Sequence, residues 1–346
     1  MKISGTGSSQ PSSSSAQGSS AQGSDTGQEG AEYDVVVVGG AAAGLSGALT
    51  LARARRSVAV VDAGDPRNAP AAGVHNYLGR EGAAPGELYA TGRSEVTGYG
   101  GTLIQGTVST VSRHRDGRFS VLLADGSRLL ARRILAASGV RDTLPDIPGL
   151  ADHWGADVLH CPYCHGWEVR GQAIGILAVD LAGAVHQALL WRQWSADVVL
   201  FLHTAGEPDP QQAEQLAARG VKVVAGEVTA VEGKPRLTGV RLATGELVPR
   251  QAVVIFAPVS ARAGYLAELG IEPVEQFFGE LSVGTAIPAG PTGATDVPGV
   301  YAAGNLVVPM MQVIGAAAAG VGAAAAINGD LMAEDTQRAV EAAAVR

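Results

Sequence analysis

The stretch from Tyr33 to Asp62 constrains the fold of this chain more than any other. Tyr33-Asp34-Val35-Val36-Val37-Val38 is an apolar, β-branched run of strand length and predicts a buried parallel strand. The tight turn Gly39-Gly40-Ala41-Ala42-Ala43-Gly44 follows, then Leu45-Ser46-Gly47-Ala48-Leu49 at helical spacing. A second strand, Val58 to Val61, ends in Asp62. A dinucleotide site demands this order of strand, glycine turn, helix, strand and acid. Turn glycines let the backbone approach a pyrophosphate, and the helix N-terminus offers free N–H groups and a positive dipole end. The acid, 23 residues after Gly39, is placed for a ribose hydroxyl pair. The middle glycine of G-x-G-x-x-G is Ala41 here, whose methyl narrows the gap to the phosphates without closing it. A glycine turn alone occurs in any α/β protein; the complete unit with Asp62 is far more specific.

The second constraint is His160-Cys161-Pro162-Tyr163-Cys164-His165-Gly166, which holds the only two cysteines of the 346 residues. A lone C-x-x-C is a redox dithiol or half of a zinc site. Structural zinc needs four N or S ligands, and no second Cys pair or downstream H-x-x-x-H pair completes the sphere, so no metal is expected. Two inert buried thiols are a third reading, against which stand the polar flanks and the turn-prone Pro162. The redox pair is preferred.

The length suggests two domains. Hydrophobic content of 46% with 47 glycines suits an α/β protein rich in tight turns. A formal net charge of −8 argues against nucleic-acid and anionic-membrane partners. Residues 1–31, largely Ser, Gly and Gln, read as a disordered tail with no apolar signal-peptide core. The Ala/Gly-rich helix expected over 315–327 is too short to span a bilayer, and residues 336–346 read as a C-terminal tail. A cytoplasmic location follows as the expectation, and in a reducing compartment a lone Cys pair favours catalysis over structure.

Between these motifs, residues 86–99 read as a helix, 102–112 and 119–123 as strands, and Asp125-Gly126 as a hairpin turn. Arg133 to Gly139 is a strand entering a small-residue turn, and Pro145 and Pro148 mark a linker. A second α/β unit begins with the strand 172–177. Its turn, Ala178-Val179-Asp180-Leu181-Ala182-Gly183, lacks glycine at the tight positions and sets a carboxylate where a pyrophosphate would lie. The next strand, 197–202, runs into His203 to Asp209, which offers acids where a 2′-phosphate needs arginines. The fold is expected to persist there with the NADPH site degenerate; an unorthodox NADPH site is the competing reading. Gly299 to Asn305 is a further strand ending in a glycine turn.

Together, the 39–44 turn, Val74-His75-Asn76-Tyr77-Leu78-Gly79, Ala137-Ser138-Gly139, the C-x-x-C, and Gly299–Asn305 followed by Gln312 resemble the low-molecular-weight thioredoxin reductase family of FAD- and disulfide-containing oxidoreductases. The resemblance implies two Rossmann-like three-layer α/β domains. A discontinuous FAD-binding domain would take residues 32–143 and 263–335, and a central redox-Cys domain residues 144–262. Three departures stand out. The nucleotide turn and its arginines are missing, Cys-Ala-Thr-Cys-Asp is replaced by Cys161-Pro162-Tyr163-Cys164-His165, and the usual Asp is Asn305. This pattern resembles the branch of FAD-dependent dithiol oxidases that close disulfides in natural products of the gliotoxin, holomycin and romidepsin type, with O₂ as acceptor and H₂O₂ as product.

The resemblance implies Cys161 as the interchanging sulfur, Cys164 as the flavin-side sulfur, and His165, then His160, as the base. It implies FAD contacts from Gly39, Gly40, Ala43, Gly44 and Asp62, from Asn68, Asn76, Ser138 and Gly139, and from Gly304, Asn305, Gln312 and Val313. Asn76 and Gln312 are expected at the flavin ring. The partners implied are a small-molecule dithiol, O₂ and a second copy of the chain in a homodimer. Two alternatives are an NADPH-dependent reductase of thioredoxin or another disulfide, and a non-enzymatic flavin redox sensor.

Overall fold

The computed structural model describes residues 30–279 and 281–345. Nearly all of the expected tail over 1–31 lies outside the described residues. Within them, the valine run forms β1 (Ala31–Val38), so the first strand starts one residue inside the expected tail. Helix α1 (Ala42–Arg53), β2 (Val58–Asp62), α2 (Pro85–Gly98) and β3 (Thr102–Gln105) follow. Next come β4 (Val108–Arg113), β5 (Phe119–Leu123), β6 (Arg128–Ala136) and the short β7 (Val140–Asp142). The middle of the chain supplies β8 (Val158–Leu159), α3 (Pro162–His165), β9 (Ile174–Leu177), α4 (Leu181–Trp191) and β10 (Val198–Phe201). It continues with α5 (Pro210–Ala218), β11 (Lys222–Val224), β12 (Val228–Glu232), β13 (Gly239–Leu242), β14 (Leu247–Pro249) and β15 (Ala252–Ile255). The last part holds β16 (Val259–Ala261), β17 (Val274–Phe278), β18 (Leu281–Ala286), β19 (Val300–Ala302) and α6 (Val313–Ala344).

The first lobe is built on a seven-stranded sheet in the order β3-β2-β1-β6-β5-β4, with β19 also against β6. Strand β6 is its pivot. Its first half pairs antiparallel with β5, while its second half pairs parallel with β19 and its whole length with β1. Two apolar layers cover the sheet. Val36, Ala59, Phe119 and Ile134 are buried on one face, and Val35, Leu51, Leu135 and Ile327 on the other. The central lobe holds the all-parallel sheet β11-β10-β9-β15-β8 and the antiparallel β12-β13-β14. Its own core centres on Ile174, Ile176, Trp191 and Leu200, all fully buried. Burying near-continuous apolar strands on both faces is what parallel sheets require.

The chain crosses between lobes twice, through β7 and β16, and these two strands pair with each other in a third sheet, β17-β18-β16-β7. Strand β16, expected inside the central segment 144–262, therefore sits beside strands of the first lobe. The C-terminal expectation needs a larger correction. Residues 336–344, expected as tail, are the last turns of α6, which runs 32 residues in place of the 13 expected over 315–327. Its Ala, Glu, Gln and Arg are strong helix formers. It packs closely on α1: a Cβ at Gly320 would lie 2.0 Å from the Ala43 carbonyl oxygen. By length and composition α6 could cross a membrane, a correction to the expectation that it is too short. Its C-terminal half, however, is tied to the first lobe through Asp330 to Arg133, Glu334 to Arg133 and Arg132, and Asp335 to Arg56.

Candidate functional site

A cavity of about 680 Å³ opens along the C-terminal ends of β1, β2 and β6 and reaches the cysteine pair of the central lobe. At one end stands the glycine turn. Gly39 has φ +109°, and its N–H donates to the Val61 carbonyl at 2.8 Å. A Cβ at Gly44 would lie 1.8 Å from the Gly39 carbonyl oxygen, so only glycine lets the turn close on the helix. The N-cap of α1 is Ala41, which has no side-chain cap, and the first amides of the helix are left free for an anion. Asp62 Oδ1 accepts the N–H of Gly40 at 3.1 Å and of Gly64 at 3.2 Å, which aims the carboxylate along the cavity.

Most of the expected cofactor residues reach this wall. Gly39, Gly40, Ala43, Asp62 and Asn68 line it, as do Ser138, Gly139, Asn305, Gln312 and Val313. Gly44 and Gly304 stand behind it and serve its packing; a Cβ at Gly304 would meet that of Ala43 at 2.8 Å. Asn76 is misplaced by the expectation. It is exposed, has φ +59°, and its Nδ2 donates 2.7 Å to the Tyr163 carbonyl, so it joins the first lobe to the cysteine turn instead of facing the cavity. The exchange of Asp for Asn at 305 has a local reason. Its Nδ2 donates to the carbonyls of Pro309 at 2.8 Å and Met311 at 2.9 Å, pinning the loop into α6, and a carboxylate has no proton to donate. Gln312 is the N-cap of α6, again with no side-chain cap.

These features fit a bound dinucleotide. The open helix end takes the pyrophosphate, the aimed carboxylate of Asp62 takes a ribose, and a Cβ at Gly139 would point into open space. At the other end lie the thiols. Cys164 Sγ donates to Cys161 Sγ across 2.7 Å. Cys164, His160 and His165 line the cavity, whereas Cys161 does not. The Cys161 thiol is pushed down by the hydrogen bond from Cys164, by the N–H groups of Cys164 and Tyr163, and by the positive charge of Arg67. The same hydrogen bond and burial push Cys164 up. Of the two thiols, the surroundings therefore favour ionisation of Cys161 over Cys164.

Burial disfavours the charged form of both histidines. Burial, then the charge of Arg67, lowers His160 to about 3, and its ring stacks on Trp154 with centroids 5.6 Å apart. Burial lowers His165, opposed by the nearby charge of Glu168. An imidazole nitrogen can accept a proton, but the burial that lowers both rings weakens them as bases, His160 more than His165, since the charge of Glu168 opposes the effect at His165.

The sequence reading missed several wall residues. Arg67 binds Asp142 through both carboxylate oxygens, with Nε to Oδ2 at 2.8 Å. It brings a fixed cation near the thiols, yet its partner is 75 positions away on a three-residue strand. Buried Tyr265 bonds Ser138 Oγ at 3.0 Å, and Ser138 donates to the Arg262 carbonyl, so Ser138 is committed to the crossover. The only local signal was the position of Arg67 next to Asn68.

In the central lobe the corresponding helix start differs. Asp180 caps α4, its Oδ1 accepting the Gly183 N–H at 2.8 Å. A glycine-turn carbonyl cradle is absent there among the described residues, and the dipole end faces its own carboxylate.

The chain matches the model of the pyridine nucleotide-disulphide oxidoreductases over residues 33–320. It is 31% identical over 314 residues to thioredoxin reductase sirT of Leptosphaeria maculans, covering 86% of this chain and 93% of that one. It is 35% identical to thioredoxin reductase tcpT of Claviceps purpurea, covering 79% and 86%. The crystal structure of HlmI superposes with a TM-score of 0.84 at 46% identity, over 91% of this chain and 96% of that one. With a cavity that runs from the glycine turn to the thiol pair and relatives of this kind, the chain belongs to the pyridine nucleotide-disulphide oxidoreductase family and is an oxidoreductase of its thioredoxin reductase-like part.

Proposed function

We propose that this protein is an FAD-dependent dithiol oxidase that closes an intramolecular disulfide in a small-molecule dithiol through Cys161 and Cys164. The observation that carries this reading is the contrast between two helix ends: α1 begins open, while α4 begins on the carboxylate of Asp180. One lobe is prepared for a dinucleotide and the other is not, so the electrons come from thiols. The natural-product setting is supported by the resemblance of the Cys161–His165 motif to disulfide-closing enzymes and by 46% identity to HlmI.

In the first step a substrate thiol gives its proton to His165, and the thiolate attacks Cys161 Sγ of the enzyme disulfide. The Cys161–Cys164 bond breaks and its electron pair stays on Cys164. The substrate's second thiol gives its proton to the Cys164 thiolate and attacks the substrate sulfur of the mixed disulfide, and Cys161 leaves as the thiolate that its surroundings favour. Substrate sulfur is oxidised by two electrons and the cysteine pair is reduced by two. Gly39–Ala43, Asp62 and Gln312 would hold FAD, which would supply the two-electron acceptor that returns the pair to its disulfide and the outlet to O₂, with both thiol protons ending in H₂O₂. A cytoplasmic location and a homodimer complete the reading.

The test is anaerobic titration of the yellow protein, first with NADPH and then with dithiothreitol. The flavin band stays with NADPH and bleaches with the dithiol. Rapid bleaching by NADPH would establish the reductase alternative in its place. Cys161→Ser and Cys164→Ser each keep the flavin and lose all dithiol oxidation; turnover in either would break the mechanism.

A further inference from the structure

Cys164, His160 and His165 face the cavity that would hold the flavin, while Cys161 is half-buried and lies off that wall. A substrate thiol that attacks Cys161 therefore comes from the outer side of the cysteine turn, and that side carries aromatic rings. Tyr163, inside the C-x-x-C itself, is 57% exposed, and Trp167 is 66% exposed. Gly166 keeps helical angles, φ −64° and ψ −35°, so Trp167 comes round to the side of the turn that Tyr163 occupies.

These are not loose surface side chains. Tyr163 stands edge-on to Trp194, with ring centroids 5.9 Å apart and planes at 87°. Trp194 packs in turn on Trp191 at 6.0 Å, and Trp191 is fully buried, its Nε1 donating to Gln187 Oε1 at 2.8 Å. A Cβ at Gly166 would lie 2.8 Å from the Trp194 ring, so the glycine after the motif lets that ring support the turn. Arg170 covers one face of Trp167, its guanidinium carbon 4.0 Å from the ring centroid, and its Nη1 donates to the Trp167 carbonyl at 2.6 Å. Both rings are held from behind and still present open area to water. Rings anchored in this way have little freedom left to lose on binding, and they favour flat apolar partners through offset stacking or edge contacts.

Size and charge narrow what can lie on such a shelf. The first-lobe loop is tied to the cysteine segment at two points: Asn76 Nδ2 donates to the Tyr163 carbonyl at 2.7 Å, and His75 Nε2 lies 3.5 Å from Glu168 Oε1. Leu78, further along that loop, is 93% exposed. The broad face of a folded protein would meet this loop before its own cysteines reached Cys161, whereas a small molecule passes beside it. The side chains of Glu168 and Glu81 are 41% and 65% exposed around the same loop, and the Arg170 guanidinium is taken up by the indole. An anionic dithiol is repelled there.

We propose that Tyr163 and Trp167 form the shelf that receives the substrate, and that they select an uncharged small dithiol whose two thiols are carried on a flat ring. This names the substrate class of the dithiol-oxidase reading and rests on it. The ring lies against the aromatic pair, the first thiol reaches Cys161 from the outer side, and the second, held in the same molecule, closes the disulfide. Bonds, protons and electrons balance as in the exchange already given: two electrons leave the substrate sulfurs for the cysteine pair.

The experiment compares three dithiols in the aerobic holoenzyme, following O₂ uptake and the cyclic disulfide formed: ortho-benzenedimethanethiol, a neutral ring dithiol; dithiothreitol, which has no ring; and dihydrolipoate, which is anionic. Rates are corrected for the uncatalysed exchange of each dithiol with a small disulfide. The ring dithiol is expected to give the highest kcat/KM, with the gain in KM. Tyr163→Ala and Trp167→Ala each lower the ratio of kcat/KM for the ring dithiol to that for dithiothreitol by about tenfold, the weight of one aromatic contact with its buried area. Tyr163→Phe and Trp167→Phe keep most of that ratio. Flavin content and melting temperature report folding, and Trp167→Leu serves if the alanine variant loses its flavin. A wild-type ratio near one, or a ratio that survives both alanine variants, overturns the shelf. Faster oxidation of reduced thioredoxin than of the ring dithiol overturns it in favour of a protein substrate. Loss of the ratio together with dissociation of a dimer in sedimentation overturns it in favour of a contact between copies. If the wild type oxidises none of these dithiols, the dithiol-oxidase reading itself falls, a result distinct from equal turnover of all three.

Discussion

Helices α1 and α4 start in equivalent places, each just past the C-terminal end of a parallel strand, β1 in one lobe and β9 in the other. Their first residues give them opposite chemistry. At α1 the cap is Ala41, and Gly44 lets the turn fold back within 1.8 Å of where a Cβ would reach the Gly39 oxygen. At α4 the cap is the Asp180 carboxylate, and a Cβ at Gly183 would meet only the ends of Leu281 and Phe256, 3.2 to 3.3 Å away. The same fold therefore holds a dinucleotide cradle where the chain spends its glycines on closeness, and a self-satisfied helix where it does not. Fold and binding separate at a handful of side chains.

The comparison can be broken most sharply at the paired glycines. Gly44→Ala must push against backbone, so the purified variant is expected to lose bound flavin and to unfold at lower temperature. Gly183→Ala meets flexible side-chain ends and is expected to keep full flavin occupancy. Equal flavin loss in both, measured by absorbance per protein, would erase the distinction. A smaller effect is expected at Asp180. Asp180→Ala removes a cap and costs about 1 kcal/mol in denaturant unfolding, and it leaves NADPH unreactive, because removing a repulsive charge does not build a glycine turn. Reactivity with NADPH in that variant would show the central lobe to be merely blocked.

A further expected effect is one of pH. His160 is held to about 3 from an ordinary 6.5, so its neutral form is favoured by the folded state. Below 6.5 the unfolded chain binds a proton that the folded chain refuses, and stability falls as pH drops toward 3. Denaturation midpoints at pH 7.5 and 5 should differ less in His160→Gln than in the wild type. An unchanged difference would place the acid sensitivity elsewhere.

What could be read from the sequence was what is local. The glycine turn, Asp62, the C-x-x-C and the Asp180 turn are each decided within a few residues, and their backbone consequences are the same in any context. What escaped was pairing across the chain. Asn76 turns to Tyr163, 87 positions away, and Arg67 to Asp142, so neither destination is encoded near the residue. The length of α6 was a different miss. Residues beyond 327 were left out of the expected helix, yet Asp330 and Asp335 pair with Arg133, Arg56 and Arg132, and residues 336–344, expected as tail, continue the same helix.

The first lobe is assembled from both sides of the chain, with β19 completing its sheet and Gln312 and Ala316 closing its cavity. On the ribosome the central lobe thus has all its strands before the first lobe has its last one. Cofactor uptake must wait for residues 300–316 to emerge, and until then the nascent chain carries its cysteine turn with no redox partner beside it.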